Sequence, residues 1–174
     1  MQQQARSGHR LLNIPSALVF ALVASTLCFS QTQANTAKQS QDPPTQKLDF
    51  AVGRKPDAIL FDGANIWVAN ELGDSVMKLS ASDGSNLGTF STGTSPVALA
   101  YDGESIWVAN RLSNNVMRLQ ASDGSLVETI KVGKGPEALL FDGGSIWVAN
   151  AEANCVTKIR LNDGGHCTFR VGSR

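Results

Sequence analysis

The sequence has little of what enzyme sites are usually built from. It contains two histidines and three cysteines, so few side chains are available as general bases, nucleophiles or metal ligands. It has no Gly-x-Ser-x-Gly motif and no cysteine or histidine pair at zinc-ligand spacing. We therefore expect no cofactor and no metal, and acid–base catalysis is poorly supported.

An excess of one charge is also absent. The chain carries 15 basic and 15 acidic side chains, whereas a nucleic-acid-binding surface needs a clustered basic excess. No segment after residue 34 shows a helical period of apolar residues. The sequence thus predicts an all-β protein without a nucleic-acid partner.

Long apolar runs are limited to the N-terminal region. Arg6 and Arg10 precede a largely apolar segment at 17–29, and residues 32–34 offer small side chains for cleavage. Because this segment is shorter than the roughly 20 residues that span a bilayer, residues 1–34 are interpreted as a secretory signal peptide, with an uncleaved anchor as the alternative. The mature chain is then expected to be secreted or periplasmic, without a membrane span.

Residues 35–46 are polar, include two prolines and show no apolar period. Such a composition is typical of a flexible, disordered linker. The folded domain is therefore expected at 47–174.

Cys155 and Cys167 lie in one predicted hairpin but are not expected to form a disulfide. With Asp163 and Gly164 as a two-residue turn, Arg160 would face Cys167, and Cys155 would lie five residues further along. That gap is about 17 Å, which is beyond disulfide reach. Both thiols would be free or available to another chain.

A unit of forty residues occurs three times. Its best-kept stretch reads DGANIWVAN at 62–70, DGESIWVAN at 102–110 and DGGSIWVAN at 142–150. Two Asp-Gly pairs in each unit are typical of hairpin turns, and the apolar runs around them predict four short strands. Four antiparallel strands per repeat indicate one blade of a β-propeller. A parallel β-helix is the alternative, although it would not need two hairpin turns per unit.

The predicted propeller is an incomplete ring. Three four-stranded antiparallel blades, at about 54–92, 93–132 and 133–172, follow an extra N-terminal strand at 47–53. Closed propellers have about four to eight blades. The chain is therefore expected to be a homo-oligomer whose copies share one ring, or a fragment of a longer propeller.

The repeat PxALxFDGxxIWVANxxxxxVxxLxxSDG resembles the YVTN/NHL-type bacterial propellers, a group that includes the virginiamycin B lyase-like proteins. The resemblance covers residues 48–172 and implies blade architecture, in proteins that act in binding, as scaffolds or as enzymes. It implies, for lyase members, a metal held by acidic groups and a catalytic histidine. Here the only histidine beyond residue 34 is His166, on a predicted outer strand without matching acidic neighbours.

The sequence therefore favours an exported, non-enzymatic module that binds a protein or a cell-envelope polymer. A lyase or hydrolase of the virginiamycin B lyase or gluconolactonase type is one alternative. A degenerate propeller fragment without independent activity is the other.

Candidate contact residues are those that differ between the repeats. A residue found in every blade is interpreted as structural, which applies to Trp67, Trp107, Trp147, Asn70, Asn110 and Asn150. The loops at 71–75, 111–115 and 151–155 and the turns between blades vary, and we expect both sets at one rim. The charged residues predicted to bind a partner there are Arg54, Lys55, Glu71, Arg111, Lys134 and Glu152.

We predict that the secreted protein begins at or near Asn35, because the small residues of a cleavage site follow the apolar segment there. N-terminal sequencing of material recovered from outside the cytoplasm would measure this directly. Recovery of a chain that still begins at Met1 would contradict the prediction.

Overall fold

Three runs of four β-strands make up almost all regular structure in residues 47–172, the part of the chain that the computed structural model describes. The strands are β1 Pro56–Phe61, β2 Asn65–Asn70, β3 Ser75–Ser80, β4 Asn86–Ser91, β5 Pro96–Tyr101, β6 Ser105–Asn110, β7 Asn115–Gln120, β8 Leu126–Lys131, β9 Pro136–Phe141, β10 Ser145–Asn150, β11 Cys155–Arg160 and β12 His166–Arg170. A short 3-10 helix at Glu71–Gly73 follows β2. The predicted signal peptide and linker, residues 1–46, lie outside the described residues.

Each run forms its own antiparallel sheet, with the strands side by side in chain order. We call β1–β4 blade 1, β5–β8 blade 2 and β9–β12 blade 3. The predicted all-β fold of three four-stranded antiparallel blades is confirmed, and the sheets do not close into a ring. Within residues 47–172, no helix is long and apolar enough to cross a bilayer.

The extra N-terminal strand predicted at 47–53 is wrong. Residues 47–53 adopt no strand, because a fourth strand needs a third strand of its own blade to pair with, and none precedes it in the described chain. The segment nevertheless lies where such a strand would run. The Phe50 ring packs so closely on Gly84 that a β-carbon there would overlap it, as the Phe90 ring of β4 does at Gly124 in blade 2.

The predicted two-residue turns are also wrong. The second Asp-Gly pair of each unit lies within a link of five residues, as at 161–165 between β11 and β12. This longer link shifts the register, so that Cys167 opposes Lys158 and Cys155 opposes Arg170. The expected absence of a disulfide holds, since both thiols are free. Three strand positions, about 10 Å, still separate them.

The core lies between the blades, where one repeated arrangement occurs twice. The face of blade 1 that carries Trp67 packs against Ile106 and Leu119 of blade 2. The face of blade 2 that carries Trp107 packs in the same way against Ile146 and Ile159 of blade 3. The sequence repeat is therefore also a packing repeat, in which the tryptophan face of each blade covers the aliphatic face of the next.

Each tryptophan is held by two polar groups of its own blade. A carboxylate oxygen of the first Asp-Gly pair accepts a hydrogen bond from the indole Nε1, at 2.6 to 2.8 Å. A basic side chain of the third strand lies over the ring, 4.6 to 5.3 Å from its centroid. The three triads are Asp62–Trp67–Lys78, Asp102–Trp107–Arg118 and Asp142–Trp147–Lys158. They explain why aspartate, tryptophan and a cation recur at fixed spacing.

We predict that Trp107→Ala lowers the free energy of unfolding by about 3–5 kcal/mol, because Trp107 is fully buried between blades 2 and 3 and its removal leaves a cavity. Trp147 holds the same place in blade 3 but is only half-buried, so Trp147→Ala is the matched control and should have a smaller effect. Urea unfolding of both variants measures the difference. Wild-type stability in Trp107→Ala would mean that the indole is not part of the core.

Candidate functional site

The turns between blades and the loops after each second strand lie side by side. Backbone hydrogen bonds join them in every blade, from Glu71 N to Lys55 O at 2.9 Å, from Arg111 N to Ser95 O at 2.8 Å and from Ala151 N to Gly135 O at 2.8 Å. We call this edge the loop rim, formed by the turns at 53–55, 93–95 and 133–135 and the loops at 71–75, 111–115 and 151–155.

Buried asparagines support the loop rim from below. The asparagine that ends each second strand is at most 1% exposed. Its side chain lies against the glycine that opens the adjacent turn, so that a β-carbon at that glycine would approach it within 2.6 to 2.9 Å. The pairs are Gly53 with Asn70, Gly93 with Asn110 and Gly133 with Asn150. These contacts require glycine, and they are consistent with a structural role for the three asparagines.

Side chains of one blade also cap the turn that leads to the next blade. Asp74 Oδ1 accepts a hydrogen bond from Ser95 N at 2.8 Å, and Asn114 Oδ1 accepts one from Gly135 N at 2.9 Å. Asp74, Ser95 and Asn114 all adopt left-handed backbone conformations, with φ of 46°, 62° and 53°. Such conformations cost energy in residues other than glycine. The hydrogen bonds of the caps offset part of that cost and hold the turns of the rim in one conformation.

A cluster of charges runs across the loop rim and joins all three blades. Glu71 is only 5% exposed. Its carboxylate forms ion pairs with Lys55 Nζ and with Arg111 Nη2, the latter at 2.8 Å, and accepts a hydrogen bond from Ser95 Oγ at 3.1 Å. Arg111 Nη1 lies 3.9 Å from Glu137 Oε1 of blade 3. We call these five residues the Glu71 cluster. Because donors surround the buried carboxylate, the cluster offsets the cost of removing it from water.

The Glu71 carboxylate is held in its ionised form. The hydrogen bond from Lys55 is the main cause that keeps the pKa of Glu71 below its ordinary value, and the charges of Lys55 and Arg111 add to it. The cluster therefore keeps a fixed negative charge beneath two cations at neutral pH.

The structure places the six predicted contact residues in two groups. Lys55, Glu71 and Arg111 meet in the Glu71 cluster. Arg54, Lys134 and Glu152 are exposed on the same rim and make no ion pair within the described residues. Sequence reasoning missed Ser95 and Glu137, which join the cluster. A signal for Glu137 exists, since the equivalent positions hold Asp57 and Val97 and so vary between repeats.

Two exposed leucines border the Glu71 cluster. Leu72 is 58% exposed and Leu112 is 61% exposed. They occupy equivalent positions in the rim loops of blades 1 and 2, directly after Glu71 and Arg111. The rim surface therefore combines apolar and charged groups.

A cavity lies between the segment at 48–52 and the aliphatic face of blade 1. Its volume is about 680 Å³, and its lining is mainly apolar, with Leu48 and Phe50 on one side and Ile59, Val68 and Leu79 on the other.

Neither region holds a set of metal ligands. Across residues 47–172, no group of three or more histidine, cysteine, aspartate or glutamate side chains is arranged to hold a metal ion. His166 is exposed on β12, opposite Ile159.

Comparison with known proteins supports the fold. No family model and no curated protein matches the sequence. Among solved structures, hydrazine synthase of Kuenenia stuttgartiensis is similar at a TM-score of 0.65 and 22% identity, over 74% of this chain and 39% of that protein. Virginiamycin B lyase from Staphylococcus aureus is similar at a TM-score of 0.60 and 18% identity, over 68% of this chain and 42% of the lyase. The WD40 repeats of RRP9 are similar at a TM-score of 0.61 and 15% identity, over 70% of this chain and 40% of that protein.

These similarities establish the class of fold. The chain consists of β-propeller blades, and it spans about two fifths of the length of each of these proteins. Since the three carry different names on one fold, the fold by itself does not select a function.

We predict that Glu71→Gln destabilises the protein at pH 7 and that this difference shrinks as the pH falls. A lowered pKa means that the ionised carboxylate stabilises the fold above its ordinary pKa, near 4.5, and that this contribution is lost as the pH falls through the lower value of the folded state. Urea unfolding at pH 7, 5 and 3 measures it, with Glu152→Gln at the exposed rim as the control. A difference between Glu71→Gln and wild type that stays constant with pH would contradict the assignment.

Proposed function

We propose that the chain is an exported β-propeller module that binds a partner protein through its loop rim. The observation that carries this proposal is the combination of exposed Leu72 and Leu112 with the Glu71 cluster. Protein interfaces typically combine apolar anchors and arginine with a polar surround. A polysaccharide-like polymer would be better matched by exposed aromatic and amide groups, whereas Trp67 and Trp107 and the three asparagines are buried.

The rigidity of the rim favours tight contact. Arg111 is held between Glu71 and Glu137, and the left-handed turns are capped across blades. A surface that is already ordered loses less conformational entropy on binding than a flexible loop does. Arg111 therefore presents a guanidinium that is one-third exposed in a fixed position.

The charge of the rim indicates the chemistry of the partner. Arg54 and Lys134 are exposed cations without an acidic partner in the described chain. They flank the cluster in blades 1 and 3. The complementary surface is an apolar patch bordered by acidic side chains, since complementary charge speeds and orients association.

An enzymatic function of the virginiamycin B lyase or gluconolactonase type is the alternative. It would need a histidine together with acidic side chains, and the single histidine of the described residues lies on the outer strand β12, away from the rim. No observation of the described residues favours it over binding.

We predict that a photo-crosslinking residue at Leu72 or Leu112 yields a discrete protein adduct in the cells that make this chain. The matched control is the same residue at Leu126, which is 56% exposed on the outer strand β8 and should give none. Combining the Leu112 probe with Arg54→Glu and Lys134→Glu should lower the yield about tenfold or more, as expected for lost interface contacts.

Equal adducts from Leu126 and from the rim would contradict a rim-specific partner. Absence of a protein adduct, together with co-sedimentation of the chain with purified cell-envelope polymer, would replace the protein partner with the polymer.

A further inference from the structure

Blade 3 presents a face that is buried in the other two blades. Strand pairing places Ala138, Leu140, Trp147, Ala149, Val156 and Phe169 on one side of blade 3. The equivalent residues of blades 1 and 2 form the cores against the next blade. In blade 3, Leu140 is 63% exposed, and Ala149 is exposed where Ala69 and Ala109 are fully buried. We call this the Trp147 face.

Blade 1 presents the complementary face. Ile66, Val68 and Leu79 stand where Ile106, Val108 and Leu119 of blade 2 receive the Trp67 face. They line the cavity of about 680 Å³, in which Val52 packs against the buried Val68 and Leu79, whereas neighbouring Ile59 is 73% exposed. The cavity lies where the inner strands of a preceding blade would pack.

We propose that the Trp147 face of one copy docks into this cavity on blade 1 of a second copy. The contact repeats the junctions between blades 1 and 2 and between blades 2 and 3, so it continues an interface that the structure already contains. It is head-to-tail, because two different surfaces meet.

A polar contact specifies this pairing further. Lys78 of blade 1 donates to Ala121 O at 2.7 Å and to Ser122 O at 2.9 Å, in the ASDG turn of blade 2. Blade 3 carries LNDG in that place, and Arg118 of blade 2 turns instead to Ser105 Oγ at 2.9 Å. In the junction between blades 1 and 2, which has a lysine on one side and an ASDG turn on the other, the lysine therefore donates to the backbone of that turn.

Blade 3 and blade 1 supply the same combination across the proposed contact. Lys158 is the equivalent of Lys78, and residues 81–84 are again ASDG. Ala81 and Ser82 both line the cavity. Lys158 of one copy is therefore expected to donate to the carbonyl oxygens of Ala81 and Ser82 in the other.

The area at stake favours a closed pair over an open chain. Four strands about 4.8 Å apart and about 17 Å long give a face of roughly 320 Å², so one junction buries about 640 Å². A stable interface needs about 1,200 Å² or more, which two junctions reach together. Two copies joined at both ends contain six blades, within the range of about four to eight for closed propellers.

The segment at 47–53 is the part expected to move aside. It occupies the place of a fourth strand beside blade 1 through Phe50, and β12 of the docking copy would require the same place. β12 is paired with β11 along five positions, whereas residues 47–53 form no strand. Moving residues 47–53 therefore disrupts no strand pairing, whereas displacing β12 would disrupt five pairs.

The test uses two blocked variants of the full chain, purified as the cell makes it. Ala149→Arg blocks the Trp147 face, and Ile59→Arg blocks the face of blade 1; both sites are exposed within one chain, so each variant should fold. Analytical ultracentrifugation should give a dimer for wild type and a monomer for each variant alone. An equimolar mixture retains one intact junction of about 640 Å², roughly half of a stable interface, so it should associate more weakly than wild type but more strongly than either variant alone.

A second variant tests the polar contact. Lys158→Met should weaken wild-type dimerisation by about tenfold per junction, as expected for hydrogen bonds to a charged donor, whereas Lys131→Met, on the outer strand β8, should leave it unchanged. A folded wild-type monomer at tens of micromolar would overturn the proposal. Dimerisation of Ile59→Arg alone would overturn it too, since that result requires two Trp147 faces to meet each other.

Discussion

The burial of one tryptophan per blade against the next blade is the interaction on which the rest of this structure depends. The indole is large, so it supplies much of the apolar area of each junction, and its Nε1 group would be costly to bury without an acceptor. Asp62 and Asp102 provide that acceptor, and a cation of the third strand covers the ring. These polar partners come from the same blade, so the orientation of the tryptophan is set within its own blade and does not depend on the neighbouring blade.

Both functional surfaces follow from this packing. Stacking the blades in register brings equivalent loops beside each other, which is why Glu71 of blade 1 reaches Arg111 at the same position of blade 2. It also leaves the tryptophan face of blade 3 without a neighbouring blade, and the aliphatic face of blade 1 with only the segment at 47–53 against it in the described chain. The residues of the rim therefore differ between repeats, whereas the residues of the two end faces occupy positions that form the same junction in each repeat. This separation underlies our two proposals, partner binding at the rim and assembly through the end faces.

Much of the fold could be predicted from the sequence, because the repeat fixes the strands and their order. The alternation around IWVAN and the Asp-Gly pairs placed all twelve strands within residues 47–172. The register between the third and fourth strands of each blade could not be predicted, because the five-residue links between them were interpreted as two-residue turns. The extra strand at 47–53 failed because its sequence matches a strand while its pairing partner is absent from the described chain.

The rim could be located from the sequence, but its chemistry could not. Lys55, Glu71 and Arg111 were identified as variable charged residues, yet their mutual pairing and the burial of Glu71 depend on how neighbouring blades stack. Opposite charges at positions 71 and 111, one repeat apart, were the available signal. Ser95 and Glu137 also stand at positions that vary between repeats, but their contacts in the cluster come from the geometry of the turns and could not be predicted from that variation.

The most direct test of the repeated junction is hydrogen exchange at the three indole Nε1–H groups, followed by NMR over a range of protein concentrations. Trp67 and Trp107 lie in junctions within the chain, so their indoles should exchange slowly at every concentration. The Trp147 indole should exchange quickly in dilute solution and become as protected as the other two when copies associate. Fast exchange of Trp147 at all concentrations, in a folded chain with Trp67 and Trp107 protected, would contradict the claim that one repeated junction builds both the monomer and its assembly.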